Sequence, residues 1–249
     1  MYKINIDLEG REWLFKSLVG SHNYNLDTEE SDRDYKMFFL PTFDDLYTGE
    51  DFYQKYISEE EDIEAHDIRK VKKLWYKVNV NFIEVLFSEE FIINDKINQR
   101  TYELLKLIWD MREDIASMNL PYLFDACRGM HFQKMSKLEE GTSGTQYLVD
   151  KYGYDTKQAL HAYRILDFLK RYYNNRFVSF KQAIWYEASY LLEIKHGEYS
   201  LKGYKKLVNN KLQEVQELEE VYKGFDIDEA TNNKLQSIVK EIVKENLLK

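Results

Sequence analysis

Two acids at alternate positions, Asp32 and Asp34, stand just ahead of the apolar run Met37, Phe38, Phe39, Leu40 in the stretch "GSHNYNLDTEESDRDYKMFFLP", Gly20 to Pro41. Side chains alternate between faces in an extended strand, so both carboxylates project from one side and Arg33 from the other. Two like charges at that spacing repel and cost stability unless something offsets them. Magnesium, or manganese in its place, does so well. It takes carboxylate and phosphate oxygens together, and a pair of such ions clamps the attacking and the leaving oxygen of a phosphoryl displacement. Two further acids, Asp62 and Glu64, alternate in "DIEAHDI", and either could bring a third carboxylate from a neighbouring strand. Gly20 and Ser21 meet a different need. Glycine permits a tight turn with close backbone approach, serine adds a hydroxyl, and the exposed amides of such a turn hold triphosphate oxygens.

The elements that must position these residues are legible from periodicity. "REWLFKSL", Arg11 to Leu18, reads as a short helix, and "LVGSHNYNL", Leu18 to Leu26, as a short strand running into a loop. "DRDYKMFFL" reads as a strand stopped by Pro41, the stretch from Pro41 to Glu61 as a loop, and "DIEAHDI" as a third strand. Three strands in the first hundred residues predict a small mixed sheet. From Arg69 the apolar period turns helical, with Val71, Leu74, Trp75 and Val78 in register and "NFIEVLF" closing the segment. Amphipathic helices are then predicted over Asn98–Met118, Leu120–Glu140, Thr156–Tyr173, Ser179–Gly197, Ser200–Gly224 and Ile227–Lys249, with Gly153, Gly197 and Gly224 at stops. The expected architecture is α+β, with a sheet domain over residues 1–95 and a larger helical domain over 96–249.

The chain of 249 residues is 44% apolar, ample for a core. The lone Cys127 excludes an internal disulfide framework, and no leader or apolar run of membrane-spanning length is visible, so a cytoplasmic protein without membrane contact is expected. A net charge of -9 argues against coating nucleic acid with the whole surface. The mean hides an asymmetry. Asp44 to Asp67 holds ten acids against Lys55 alone, whereas Lys151 to Lys211 holds twelve Lys or Arg against five acids, interleaved with nine tyrosines. The two regions are either solvated surfaces or the facing walls of a cleft for a polyanion and a cation. Glu84, inside "FIEVLF", is an acid in apolar company that needs a partner, read here as a structural salt bridge or a helix contact.

Gly20-Ser21, Tyr24, Leu26 and Ser31-Asp32-Arg33-Asp34 resemble the "GSxxYGLxxxxSDxD" signature of the DNA polymerase β nucleotidyltransferase superfamily, and more closely its RNA-repair-pathway DNA-polymerase-β family. "DIEAHDIRK" is similar to that family's third-carboxylate strand, "NVNFIEVLF" to its "NPxxLELLF", "YDTKQALHAYRIL" to its "YxxKHAxHxxRLL" helix, and "EIKHGEY" to its "xIRxGEY". Asn25, Val80 and Gln158 depart from the pattern, which has Gly, Pro and His there; Asn tolerates left-handed backbone, so the turn stays open to it.

The resemblance implies that residues 1–95 form the nucleotidyltransferase domain and that the helical domain completes the nucleotide and acceptor cleft. It makes Gly20, Ser21 and Ser31 the nucleotide-holding loop and Asp32 and Asp34 metal ligands. Glu64 becomes the preferred third carboxylate and base, with Asp62 second, and Lys157, His161 and Arg164 become a grip for a triphosphate or an acceptor phosphate. The implied reaction is Mg²⁺- or Mn²⁺-dependent transfer of an NMP from an NTP, such as ATP, to an acceptor hydroxyl with release of pyrophosphate. The family's name implies an RNA end as one acceptor, in RNA repair. Two alternatives stay open, AMP transfer to a protein hydroxyl and a non-catalytic nucleotide-binding module.

Overall fold

A strand whose consecutive residues are all apolar must be covered on both faces, and Met37 to Leu40 are each no more than 5% exposed. In the computed structural model, which describes residues 6–29, 31–58, 61–187 and 189–247, that run is the inner half of a central strand. The strands are β1 (Trp13–Val19), β2 (Arg33–Phe39), β3 (Tyr53–Ile57), β4 (Glu61–Asp67) and β5 (Phe91–Ile93). They form one five-stranded sheet in the order β3-β4-β2-β1-β5. β2 and β4 run parallel and the other pairs antiparallel, so the sheet is mixed and the class α+β, as expected. One face carries Leu18, Tyr35, Met37, Phe39, Ile63 and Ala65, closed over by Ile6 and Leu8. On the other, Phe38 stacks on Phe15 and meets Trp75.

Several local expectations are corrected. The strand expected over Leu18–Leu26 is only the end of β1 followed by a 3₁₀ turn, His22–Tyr24. Arg11 to Leu18 is not a helix: its residues from Trp13 onward are β1, and Leu14 to Val19 are all buried. A strand covered on both faces shows no period-2 alternation and so reads like a buried helix. The expected loop from Pro41 to Glu61 contains α1 (Phe43–Thr48), started by a capping box between Thr42 and Asp45, and also β3. β3 is an edge strand, mostly exposed, and its sequence YQKYI shows no period-2 alternation. β5 is only three residues long, too short for a periodicity to register.

Helices α2 (Val71–Tyr76) and α3 (Val80–Ile83) follow β4. The predicted Asn98–Met118 helix divides at Met111 into α4 (Gln99–Asp110) and α5 (Arg112–Ser117). Next come α6 (Leu120–Ser136), α7 (Gln146–Tyr152), α8 (Thr156–Asn174), α9 (Phe180–Ile184), α10 (Ser189–Lys195), α11 (Leu201–Gln216) and α12 (Glu219–Lys223), and finally α13 (Glu229–Leu247). The chain divides into two compact units, one of Met1–Met118 with Asp228–Lys249 and one of Asn119–Ile227, rather than near residue 95. The reason is packing. Trp109 of α4 lies 4.1 Å from Phe91 of the sheet, and α13 returns to α4, where Asn246 Nδ2 donates to Thr101 Oγ1 at 3.0 Å. In the helical unit α8 is the buried axis, with α6, α10 and α11 around it. No described helix is long and apolar enough to cross a membrane.

The start of α1 is tied to the segment before β1 by a bidentate pair. Arg11 Nη2 and Nε donate to Asp45 Oδ1 and Oδ2 at 2.6 and 2.8 Å, and the guanidinium also lies 3.8 Å from the Phe52 ring centroid. The bond from Arg11, aided by those from Thr42, holds the Asp45 carboxyl well below the usual carboxylate range. A depressed folded pKa contributes stability that is present above the unfolded value of about 4 and is lost as the pH falls through the folded one. Both side chains are at most 10% exposed, so Arg11→Met leaves a buried charge and should cost about 3 kcal/mol at pH 7. Urea unfolding at pH 7 and pH 3 checks this: the gap between wild type and variant should narrow at the acid end.

Candidate active site

The register of the parallel pair decides which acids meet. Asp34 lies opposite Asp62, Lys36 opposite Glu64 and Phe38 opposite His66. By alternation all six share the face that packs on Trp75. Asp34 and Asp32 are solvent-exposed, and Asp62 and Glu64 half-buried. Partial loss of water raises the pKa of Asp34, and Asp62, Asp32 and Glu64 push it the same way against the opposing charge of Lys36. All three acids thus act on Asp34, Asp62 most strongly.

Glu64 is differently employed. Its Oε2 accepts from Lys36 Nζ at 3.0 Å and lies 3.8 Å from His66 Nε2. His66, followed by Lys36, holds the Glu64 carboxyl down to about 2. Asp62 lies 4.0 Å from Lys55 Nζ, a distant cation. Among the described residues no three His, Cys, Asp or Glu side chains are gathered into a ready-made ion cage. The donor set is nonetheless all oxygen, which suits a hard divalent cation, and such a cation would offset the like charges of Asp62, Asp32 and Glu64 that act on Asp34 beside its desolvation.

The turn that begins at the end of β1 approaches the same place. Gly20 has φ +72, a left-handed conformation that favours glycine, and a Cβ built there would stand 3.1 Å from Asp34 Oδ2. The chain then enters a 3₁₀ turn, His22–Tyr24, in which Tyr24 N donates to Gly20 O and Ser21 O at 3.2 and 3.1 Å and Leu26 N to Ser21 O at 2.9 Å. Asn25 closes it at φ 58, ψ 42, the left-handed backbone expected of it. Ser31 buckles the following loop: its Oγ accepts from Thr28 N at 2.9 Å, and its carbonyl lies 3.4 Å from His22 Nε2. Gly20, Ser21, Ser31, Asp32 and Asp34 therefore belong to one local structure.

Lys157, His161 and Arg164 lie together on α8 in the helical unit. Lys157 and His161 are exposed, whereas Arg164 is only 4% exposed, and Tyr186 donates to its carbonyl at 3.1 Å. His161 is reached by solvent yet hemmed in by protein. That desolvation, followed by the charges of Arg164, Lys134, Lys157 and Lys195, lowers its pKa. Lys134 of α6 and Lys195 of α10 were not identified from sequence, because helix packing alone brings them to α8. Two residues at the sheet were also missed. Lys36 could have been found, since it is two residues beyond Asp34 and must share its face. Asn23, within the turn, carried no such signal.

No curated protein matches the chain. A model of the RNA repair pathway DNA polymerase beta family matches residues 6–170, a name that points to a polymerase β-like nucleotidyltransferase. That span covers the turn, both acid-bearing strands and the α8 cluster, about two thirds of the sequence, and the chain belongs to that family.

Proposed function

We propose that the protein is a metal-dependent nucleotidyltransferase that moves an NMP from an NTP to a hydroxyl at an RNA end, releasing pyrophosphate. One observation carries this reading: Gly20 of the turn lies against the carboxylate of Asp34, and Asp34 faces Asp62 across the parallel register. A site for phosphate oxygens and a set of acids for divalent cations thereby meet at one end of the sheet.

Asp32 and Asp34 would hold the magnesium or manganese, which when bound supplies charge for the attacking and leaving oxygens. The register favours Asp62 as the third carboxylate over Glu64, whose charge already serves Lys36 and His66. The acceptor oxygen forms a bond to the α-phosphorus as the bond from that phosphorus to the bridging oxygen breaks and pyrophosphate leaves. The acceptor proton passes to a carboxylate on β4, for which Asp62 is the better situated. The backbone amides of Ser21 and His22 and the Ser21 hydroxyl would orient the phosphates, since the amides of Gly20, Tyr24, Asn25 and Leu26 donate within the protein, so that positioning and electrostatics supply most of the rate. The cations Lys134, Lys157, Arg164 and Lys195 around His161 suit phosphate groups of a nucleotide or an RNA.

The test is incubation with each labelled NTP, Mg²⁺ or Mn²⁺, and either RNA or a protein mixture. Label on RNA is the expected result, and label on protein would move the reading to AMP transfer onto a protein hydroxyl. Label on neither, or equal labelling by the Asp32→Ala, Asp34→Ala double variant, overturns the mechanism.

A further inference from the structure

A carboxylate in an apolar setting is costly unless hydrogen bonds replace its water. Glu84 is in that position. It opens a 3₁₀ turn, Glu84–Phe87, is 3% exposed, and is followed by Val85, Leu86 and Phe87, each at most 5% exposed. Its Oε2 accepts from the backbone N–H of Gly20 at 3.1 Å and from Asn23 Nδ2 at 3.4 Å. The same Asn23 amide donates to the Glu84 carbonyl at 3.2 Å. One buried carboxylate therefore fastens both arms of the turn, the residue before Ser21 and the residue two after it, from 61 and 64 positions away in sequence. The bonds from Asn23 are buried and the one from Gly20 part-buried, and low local dielectric strengthens such hydrogen bonds.

What they fix is specific. The Gly20 N–H points inward to Glu84, which sets the peptide plane at the point where the chain takes its left-handed step. It also sets the position of the Gly20 α-carbon against Asp34. We propose that Glu84 is a positioning residue of the active site: it holds the phosphate-binding turn against the metal-ligating strand without touching nucleotide itself. The inference rests on the reading of that turn as the phosphate site. A purely structural role would be felt as lower stability of the whole unit. A positioning role is felt as a loosened turn and a weakened nucleotide, because displacing a binding group by about 1 Å can cost up to roughly 10²-fold.

The experiment compares full-length wild type, Glu84→Ala and Glu84→Gln by amide hydrogen exchange and by binding of a fluorescent ATP analogue with Mn²⁺. Glu84→Ala should exchange the amides of residues 20–25 about tenfold faster than wild type, leave β2 and β4 protected, and bind the analogue about 10- to 100-fold more weakly. Glu84→Gln keeps an acceptor oxygen and should stay within about threefold of wild type in both measurements. Should Glu84→Ala fail to fold, Asn23→Ser removes a donor to the same carboxylate and should loosen the same amides about threefold. Wild-type affinity in Glu84→Ala, or faster exchange spread evenly over the sheet, overturns the inference while leaving the transferase reading intact. A wild-type protein that neither binds the analogue nor transfers label overturns the transferase reading itself.

Discussion

Asparagine in place of Asp34 is expected to lower nucleotidyl transfer by about 10³-fold or more while raising the melting temperature. On the proposed function the loss would follow from what a metal-bound carboxylate supplies: several kcal/mol of transition-state charge stabilisation, of which about 4 kcal/mol corresponds to roughly 10³ in rate. The gain follows from the acids themselves. In the metal-free fold, desolvation and then Asp62, Asp32 and Glu64 disfavour ionised Asp34. A carboxyl whose folded pKa is raised destabilises the fold above that pKa, and the deficit disappears as the pH falls through it. A neutral amide removes the deficit at pH 7. Thermal unfolding in EDTA and the labelled transfer assay read the two effects separately, and a variant that loses both stability and activity would mean that Asp34 is structural.

The neighbouring acids refine that result. Asp62→Asn should fall by about 10²- to 10³-fold, because Asp62 stands opposite Asp34, whereas Glu64→Gln should fall by only about tenfold, through loss of its hold on Lys36. The reverse order would return the third carboxylate to Glu64.

Alanine at Gly20 combines two penalties. An L-residue at φ +72 costs about 1–2 kcal/mol. Its Cβ would also press on Asp34 Oδ2 from 3.1 Å, forcing the carboxylate aside by a few tenths of an ångström. The strain lowers stability, and the displacement should lower kcat/KM by about 30- to 100-fold. Gly49, which caps α1 at φ +73 with nothing within 4 Å of the same built Cβ, is the control. Gly49→Ala should lose a similar 1–2 kcal/mol, about the cost of the backbone conformation alone, and keep full activity. Equal activity in the two variants would remove the Gly20–Asp34 contact from the mechanism.

Much of this site could be read in the chain before any fold was known. Asp32, expected in the strand with Asp34, lies just before β2, which begins at Arg33, whereas the burial of Met37 to Leu40 follows from four consecutive apolar side chains. Asn25 adopts the left-handed backbone that its side chain tolerates. Where local rules misled, a specific physical cause can be named. β1 looked helical because both its faces are covered, and β3 looked like a loop because an exposed edge strand buries little. The unit boundary was expected near residue 95 because sequence order gives no hint that α4, α5 and α13 pack with the sheet.

The sequence by itself determined the cast: a glycine turn, two acids at alternate positions, one of them on a strand, two more on another strand, and a buried acid in need of partners. Only the tertiary structure decided how they are paired. That Asp62 rather than Glu64 faces Asp34 depends on the register between β2 and β4, in which Phe38 also faces His66 and Met37, Phe39, Ile63 and Ala65 share the core. That Glu84 meets Gly20 depends on a loop closure of 64 residues. Alternation and propensity act over a few residues and leave a mark in the local sequence. Register and closure are settled by the packing of distant surfaces, which leaves none.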